Sequence, residues 1–204
     1  MRRHFTRLLV LLWLTAGPLL SQNPTGNGTK APPLKPDSGT LEKGVYTNAF
    51  FGFSYRPGDG WFVNEEALQS DKARGPKPPR TYYLLIADRR TNKPIRERIL
   101  LIADDSSAYQ SAMTLEKWVG RMAHALVKGS QTELLRDTYS VEYAGQHFYR
   151  VDYKENWSGG ALYKAFTANE YKGFFLSWTF VANSKERLDK MVQSLDTLAF
   201  THQQ

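Results

Sequence analysis

Two uninterrupted apolar runs, residues 82–87 and 99–103, constrain the fold of this chain more than any other feature. Neither run alternates with period two, as a strand with one face in water would. Continuous apolar strands of this length are usually covered on both faces, which predicts one sheet with helices on both sides. Residues 88–98 join the two runs, and Asn92-Lys93-Pro94 within them suits a hairpin turn.

Two amphipathic helices are predicted to supply this cover. The first begins at Thr114 and ends near Gly129, and the second follows the capping residue Ser184. Each carries one apolar stripe at spacings of three and four residues. The stripes consist of Leu115, Trp118, Val119, Met122, Ala123 and Leu126 in the first helix, and of Leu188, Met191, Val192 and Leu195 in the second.

Further strands are predicted before and after the first helix. Their approximate bounds are 45–48, 51–55, 61–63, 132–143, 147–154, 161–170 and 174–182. Residues 64–80 are interpreted as a long polar loop, because they end in a stretch rich in proline and glycine. The whole pattern is typical of a domain that mixes helices and strands.

The first 22 residues are predicted to be a secretory signal peptide. Arg2, Arg3 and Arg7 precede an apolar stretch at 8–14 that is short for a membrane span of roughly 20 residues. Cleavage is expected near Ser21 or Gln22, with an uncleaved anchor as the alternative. The expected location is therefore secreted or periplasmic.

The organisation that follows is a linker, one domain and a tail. Residues 23–43 are rich in proline and glycine and poor in apolar residues, which predicts a disordered linker. The folded domain is expected at 44–200, and 201–204 form a short tail. No transmembrane segment is expected in the mature chain.

Composition narrows the classes of function. The absence of cysteine excludes a disulfide scaffold, a thiol nucleophile and a cysteine-ligated metal centre. The formal net charge is +7, and removal of the three leader arginines lowers it to +4. This mild basicity, on an exported chain, does not favour a nucleic acid as partner.

Short motifs at both ends of the domain resemble those of Mog1/PsbP-like domains. The opening motifs are Tyr46-x-Asn48, the run at 51–57 and Trp61, and the closing motifs are Tyr171-Lys172-Gly173-Phe174 and Leu198-x-Phe200. The order of the strands and of the middle helix between them also agrees with that family.

The resemblance spans roughly residues 44–200. It implies an α+β fold, a three-layer α/β/α sandwich with a central, mostly antiparallel sheet and helices on both faces. The family includes a nuclear-transport GTPase cofactor, photosystem accessory proteins and bacterial envelope proteins, so it implies binding to another macromolecule without catalysis. It supplies no partner-binding motif that maps onto residues of this chain.

No catalytic motif or cofactor site is predicted. The sequence has no G-x-S-x-G, no H-E-x-x-H and no phosphate-binding glycine loop. His124 and His147 are interpreted as structural, and Asp104-Asp105-Ser106-Ser107 as a polar connection. A secreted hydrolase using His147 with Tyr149 or Asp152 stays an alternative, although Asp152 falls on the opposite strand face.

Trp157 is a second alternative site. It precedes Ser158-Gly159-Gly160, and an exposed tryptophan in a turn can stack on a sugar or another small ligand. The chain would then be a glycan or small-ligand binder. The other interpretation is that Trp157 folds back over the sheet edge.

The basic charge is concentrated between residues 70 and 98, where nine residues are basic and three are acidic. The denser part lies beyond the strand at 82–87 and is the candidate docking surface: Arg89, Arg90, Lys93, Arg96 and Arg98. The alternative is a solvated hairpin that keeps a sheet edge from pairing with other chains. Whether Lys72, Arg74, Lys77 and Arg80 join the same surface is left open.

These observations favour an exported, non-enzymatic envelope protein that acts as a binding or accessory module. The expected partner is another macromolecule, such as an anionic protein or a lipid surface.

Overall fold

The computed structural model describes residues 34–74, 80–90, 97–127, 131–157 and 159–201, without the side chains of Arg74 and Trp157. The predicted signal peptide, the turn at 92–94 and the end of the tail lie outside these residues. Three helices are described: α1 (Glu65–Arg74), α2 (Leu115–Val127) and α3 (Lys185–Gln193). The strands are β1 (Thr40–Glu42), β2 (Val45–Asn48), β3 (Phe53–Tyr55), β4 (Trp61–Val63), β5 (Thr81–Arg89), β6 (Glu97–Asp105), β7 (Thr132–Tyr143), β8 (Gln146–Trp157), β9 (Gly160–Tyr171), β10 (Phe174–Ala182) and β11 (Ala199–Phe200).

Seven strands form the main sheet, in the order β4-β5-β6-β10-β9-β8-β7. Every neighbouring pair is antiparallel, which confirms the predicted α+β class with a mostly antiparallel sheet. β7 forms one edge of this sheet, and its register against β8 is irregular between Leu134 and Arg136 and again between Arg136 and Tyr139. Among the described residues, no helix has the length and apolarity needed to cross a bilayer.

β10 contributes to both faces of the main sheet because successive side chains point to opposite sides. On one face Phe175 packs against Trp118 of α2, with ring centroids 5.0 Å apart. On the other face Trp178 belongs to the cluster that contains Leu188 and Val192 of α3. β10 is apolar except at Ser177 and Thr179, which fits burial on both sides.

A second sheet of four short strands, in the order β1-β2-β3-β11, packs on the α3 side. Phe53 and Tyr55 of β3 face Trp178, with ring centroids 6.2 Å and 6.4 Å from it. The aromatic motifs on which the family resemblance rests are therefore core residues of the domain.

The predicted polar loop at 64–80 is wrong over its first part, where α1 forms. Asn64 caps this helix, because its side-chain oxygen accepts a hydrogen bond from the backbone N–H of Ala67 at 3.0 Å. Glu65 and Glu66 lie in the first turn, where negative charge is favourable. Among the described side chains of α1, only Leu68 is buried, so the apolar stripe was too weak to indicate a helix.

The C-terminal end of the predicted linker is also corrected. β1 lies within residues 23–43 and pairs with β2. Upstream of it, the side-chain amide of Asn48 donates to the carbonyl of Pro36 at 2.7 Å, and Lys72 lies 3.1 Å from Asp37. These contacts fix residues 36–42 to the domain despite their low apolar content.

Asn48→Ala is expected to detach this segment. Asn48 is 1% exposed, and its removal leaves the carbonyl of Pro36 and the backbone N–H of Phe51 without their partner. The expected loss in the free energy of unfolding is about 2 kcal/mol. Urea denaturation and amide exchange at residues 40–42 measure it, and unchanged exchange at these residues would contradict the anchoring role.

Candidate functional site

Part of the predicted basic cluster forms ion pairs at the base of the β5–β6 hairpin, where the two strands end. Asp88 of β5 lies opposite Arg98 of β6 in the strand register. The Arg98 guanidinium donates from Nε and Nη2 to the two carboxylate oxygens of Asp88, at 2.7 Å and 3.0 Å. Asp88 is fully buried and also accepts from the Asn64 side chain at 2.7 Å. This hydrogen bonding to Asp88 raises the pKa of Arg98.

A second buried carboxylate joins the hairpin to α3. Glu97 is 3% exposed and accepts two hydrogen bonds from the Arg187 guanidinium, at 2.7 Å and 3.0 Å. Arg89 lies 3.9 Å from the same carboxylate. The two carboxylates therefore hold the base of the hairpin against α1 on one side and α3 on the other.

Arg90 extends beyond this base. Its guanidinium lies 5.7 Å from the ring centroid of Phe62 on β4, within the distance of a cation–π contact. Phe62 is 36% exposed, so the pair forms an accessible aromatic and cationic surface.

Two other predicted docking residues interact with buried carboxylates: Arg98 forms an ion pair with Asp88, and Arg89 lies near Glu97. Lys93 and Arg96 lie outside the described residues.

The other basic cluster lies toward the opposite end of β5. Lys72 of α1 lines a cavity of about 400 Å³ together with Thr81, Tyr82 and Asp37. Thr81 begins the nine-residue strand β5 and Arg89 ends it, so these two residues are about 25 Å apart along the strand axis. Arg80 precedes the strand, whereas Lys77 lies outside the described residues. Lys72 of the first basic cluster and Arg89 of the second therefore lie toward opposite ends of β5.

His147 and Tyr149 lie together on the face of β8 that packs on α2. Their rings are 4.8 Å apart, edge to face, beside Glu116 and Glu170 in an open cavity of about 430 Å³. Asp152 lies on the opposite face, where it bonds to Arg150. The structure therefore brings His147 to Tyr149 but not to Asp152. The backbone of Trp157 ends β8 opposite Gly160.

The acidic and hydroxyl groups at 104–107 have structural partners. Thr81 donates to Asp104 at 2.5 Å, and Asp105 accepts from the backbone and side chain of Ser107 at 2.9 Å and 2.7 Å. The Ser106 hydroxyl donates to the carbonyl of Gly173 at 2.7 Å. Within the described ranges, no three His, Asp or Glu side chains are grouped so that they could hold a metal ion.

A polar cleft lies between α3 and the β7–β8 hairpin, and sequence reasoning missed it. We name it the α3 cleft; its volume is about 370 Å³. It is lined by Leu135, Arg136, Tyr139, Arg150, Asp152, Lys185, Leu188 and Asp189. The residues come from three separate elements, so only the strand register and the packing of α3 bring them together.

A hydrogen-bond network fixes the floor of the α3 cleft. Asp152 accepts from Arg150 Nε and from the Tyr139 hydroxyl, both at 2.8 Å, and Arg150 also donates to the Tyr143 hydroxyl at 3.1 Å. A tyrosine hydroxyl is protonated at neutral pH, and burial raises the pKa of Tyr139 further above its ordinary 10, so the hydroxyl remains a donor. The i, i+2 spacing of Arg150 and Asp152 on one strand face was the available sequence signal.

Comparison with known proteins gives similar solved structures but no activity. No protein family model matches the chain, and no curated protein matches it. The chain is similar to members of the PsbP/Mog1-like fold. The solved structure of cyanobacterial PsbP (CyanoP) from Synechocystis sp. PCC 6803 is 14% identical, with a TM-score of 0.49, and the match covers 77% of this chain and 91% of that one. The sequence resemblance described above named the same family.

Two further solved structures are similar. LpqN of Mycobacterium tuberculosis, described as involved in cell envelope biogenesis, is 15% identical, with a TM-score of 0.49, and the match covers 73% of this chain and 83% of that one. PA94 of Pseudomonas aeruginosa, a protein of unknown function described as a putative regulator, is 17% identical, with a TM-score of 0.43 and coverage of 57% and 81%. Likeness at this level carries no argument about activity or partners.

The two kinds of arginine in the hairpin are expected to differ in their effect on stability. Arg98→Gln leaves the buried Asp88 without its bidentate partner and should lower the free energy of unfolding by about 2 kcal/mol. This loss is smaller than the loss expected for a fully buried ion pair, because the Arg98 side chain is 41% exposed. Arg90→Gln should change it by less than about 0.5 kcal/mol. Urea denaturation compares them, and equal losses would contradict the structural role of Arg98.

Asp104 should give a defined pH dependence. Burial raises the pKa of its carboxyl above the ordinary 3.8, so the folded chain binds this proton more tightly than the unfolded chain does. The stability from this group is complete below that ordinary value and is lost as pH rises through the raised pKa.

Asp104→Asn should therefore gain stability relative to the unsubstituted chain as pH rises from about 4 toward neutrality. Thermal unfolding over this pH range measures the difference, with the exposed Asp59→Asn as the control. A difference between Asp104→Asn and the unsubstituted chain that does not change with pH would contradict the assignment.

Proposed function

We propose that the chain is an exported, non-enzymatic accessory module of the cell envelope that binds another macromolecule through the β5–β6 hairpin. The partner is an anionic surface, and an acidic protein face fits it best. The observation that carries the proposal is the exposed Arg90–Phe62 pair, presented next to Arg89 on a base that buried Asp88 and Glu97 hold in place.

A fixed base favours binding. Arginine and aromatic residues are enriched among the residues that contribute most to protein–protein affinity. Because Asp88 and Glu97 already order the ends of both strands, little further entropy is lost when a partner contacts the base of the hairpin. Lys93 and Arg96, in the connection between the strands, add positive charge that would attract and orient an acidic partner.

Export and architecture belong to the same proposal. Residues 1–22 carry the pattern of a secretory leader, with cleavage near Ser21 or Gln22, which supports a secreted or periplasmic location. α2 packs on one face of the main sheet and α3 on the other, which supports the three-layer sandwich of the resembled family. The linker then begins at residue 23 and is shorter than predicted, because β1 belongs to the domain.

The test is crosslinking and affinity capture from the native envelope, with the full chain expressed in its host. The hairpin variant replaces Arg90, Lys93 and Arg96 by Ser, and leaves Arg89 and Arg98 in place because they interact with buried carboxylates. The matched control replaces Lys117, Arg121 and Lys190 by Ser and so removes the same three positive charges. These three residues are exposed on α2 and α3. We expect a protein partner to be captured by the unsubstituted chain and by the control, and lost with the hairpin variant.

Other outcomes contradict parts of the proposal. A partner that the hairpin variant retains would move the binding surface elsewhere. Absence of any captured partner would contradict the proposed protein binding. Binding to vesicles containing phosphatidylglycerol but not to pure phosphatidylcholine vesicles, lost in the hairpin variant, would replace the acidic protein by a lipid surface.

A further inference from the structure

The α3 cleft contains one guanidinium without a carboxylate partner. Arg136 lies 3.5 Å above the ring of Tyr139, and no carboxylate in the described part of the chain lies within salt-bridge distance of it. The other cationic groups of the cleft are engaged: Arg150 bonds to Asp152, and Lys185 lies 2.8 Å from Asp189. The contact with the Tyr139 ring places the guanidinium in the cleft, and within the described residues its N–H groups have no hydrogen-bond acceptor.

The charges lining the cleft favour a ligand with a single negative charge. Three cations, Arg136, Arg150 and Lys185, face the two carboxylates of Asp152 and Asp189, which leaves one formal positive charge. A carboxylate would neutralise it and would match the planar guanidinium in a bidentate contact. A dianionic phosphate carries two negative charges, so it would leave one negative charge without a cationic partner beside Asp152 and Asp189.

The wall of the cleft is aliphatic. Leu188 of α3 is buried at its inner end, and Leu135 of β7 is 39% exposed at its rim. A volume of about 370 Å³ lies at the lower end of the range typical of small-molecule sites. The cleft therefore combines one cation in contact with Tyr139, a fixed polar floor and an apolar wall.

We propose that the α3 cleft binds a small organic monocarboxylate with an aliphatic body, through a bidentate contact from Arg136 and apolar contact with Leu135 and Leu188. This binding is separate from the docking proposed for the hairpin, because it uses other elements. Either proposal can fail without the other.

The experiment uses hexanoate as the probe and backbone amide NMR of the isotope-labelled protein purified after expression of the full chain. Hexanoate should shift the resonances of Leu135, Tyr139 and Leu188, with saturation below about 20 mM. Hexanol, hexylamine and inorganic phosphate should each bind at least tenfold more weakly, because each lacks either the carboxylate or the aliphatic body.

Variants assign the carboxylate contact to Arg136. Arg136→Gln should lower the affinity for hexanoate at least tenfold and leave the weak binding of hexanol unchanged. Arg136→Lys should recover only part of the affinity, because a lysine keeps the charge but not the planar donor pair. Arg121→Gln, which removes an exposed cation from α2, should have no effect.

Three results would overturn the proposal. The first is no shift with hexanoate at about 20 mM, where a millimolar dissociation constant would already give near-saturation. The second is equal affinity for hexanoate and hexanol, which would leave an apolar cleft without carboxylate recognition. The third is unchanged hexanoate affinity in Arg136→Gln while its thermal unfolding matches that of the unsubstituted chain.

Discussion

Antiparallel pairing of β10 with both β6 and β9 is the constraint on which the rest of the structure depends. β10 supplies Phe175 to one apolar cluster and Trp178 to the other, so the two faces of the sheet are built around the same backbone. A shift of one residue in its register would exchange the two faces and expose both clusters. The positions of the hairpin and of the α3 cleft follow from this register.

The basic residues fall into two groups, those that pair with a buried carboxylate and those that do not. Asp88 and Glu97 each lose their hydration on folding, and a buried carboxylate is tolerated only when charged donors replace the water. Arg98 and Arg187 supply those donors, so their charge is neutralised within the domain and contributes little to its outer field. The positive field at the hairpin therefore comes from fewer residues than the sequence count indicates.

The sequence predicted the elements better than the sites, because element patterns are local. The stripes of α2 and α3 and the strands from residue 132 to residue 182 follow from periodicity, whereas α1 has one buried side chain, Leu68, and no clear period. The pairing of Arg98 with Asp88 depends on strand register. The α3 cleft unites Arg136 with Lys185, which lie on elements far apart in the sequence, so the local spacing of Arg150 and Asp152 does not by itself indicate a cleft.

The irregular register of β7 has a consequence for association between molecules. This strand is 12 residues long and ends the main sheet, and Leu134 and Leu135 are exposed on it. A strand from a second molecule would need an evenly spaced row of backbone donors and acceptors, and the two irregularities interrupt that row. The domain can therefore present apolar side chains at its edge while avoiding growth into a continuous intermolecular sheet.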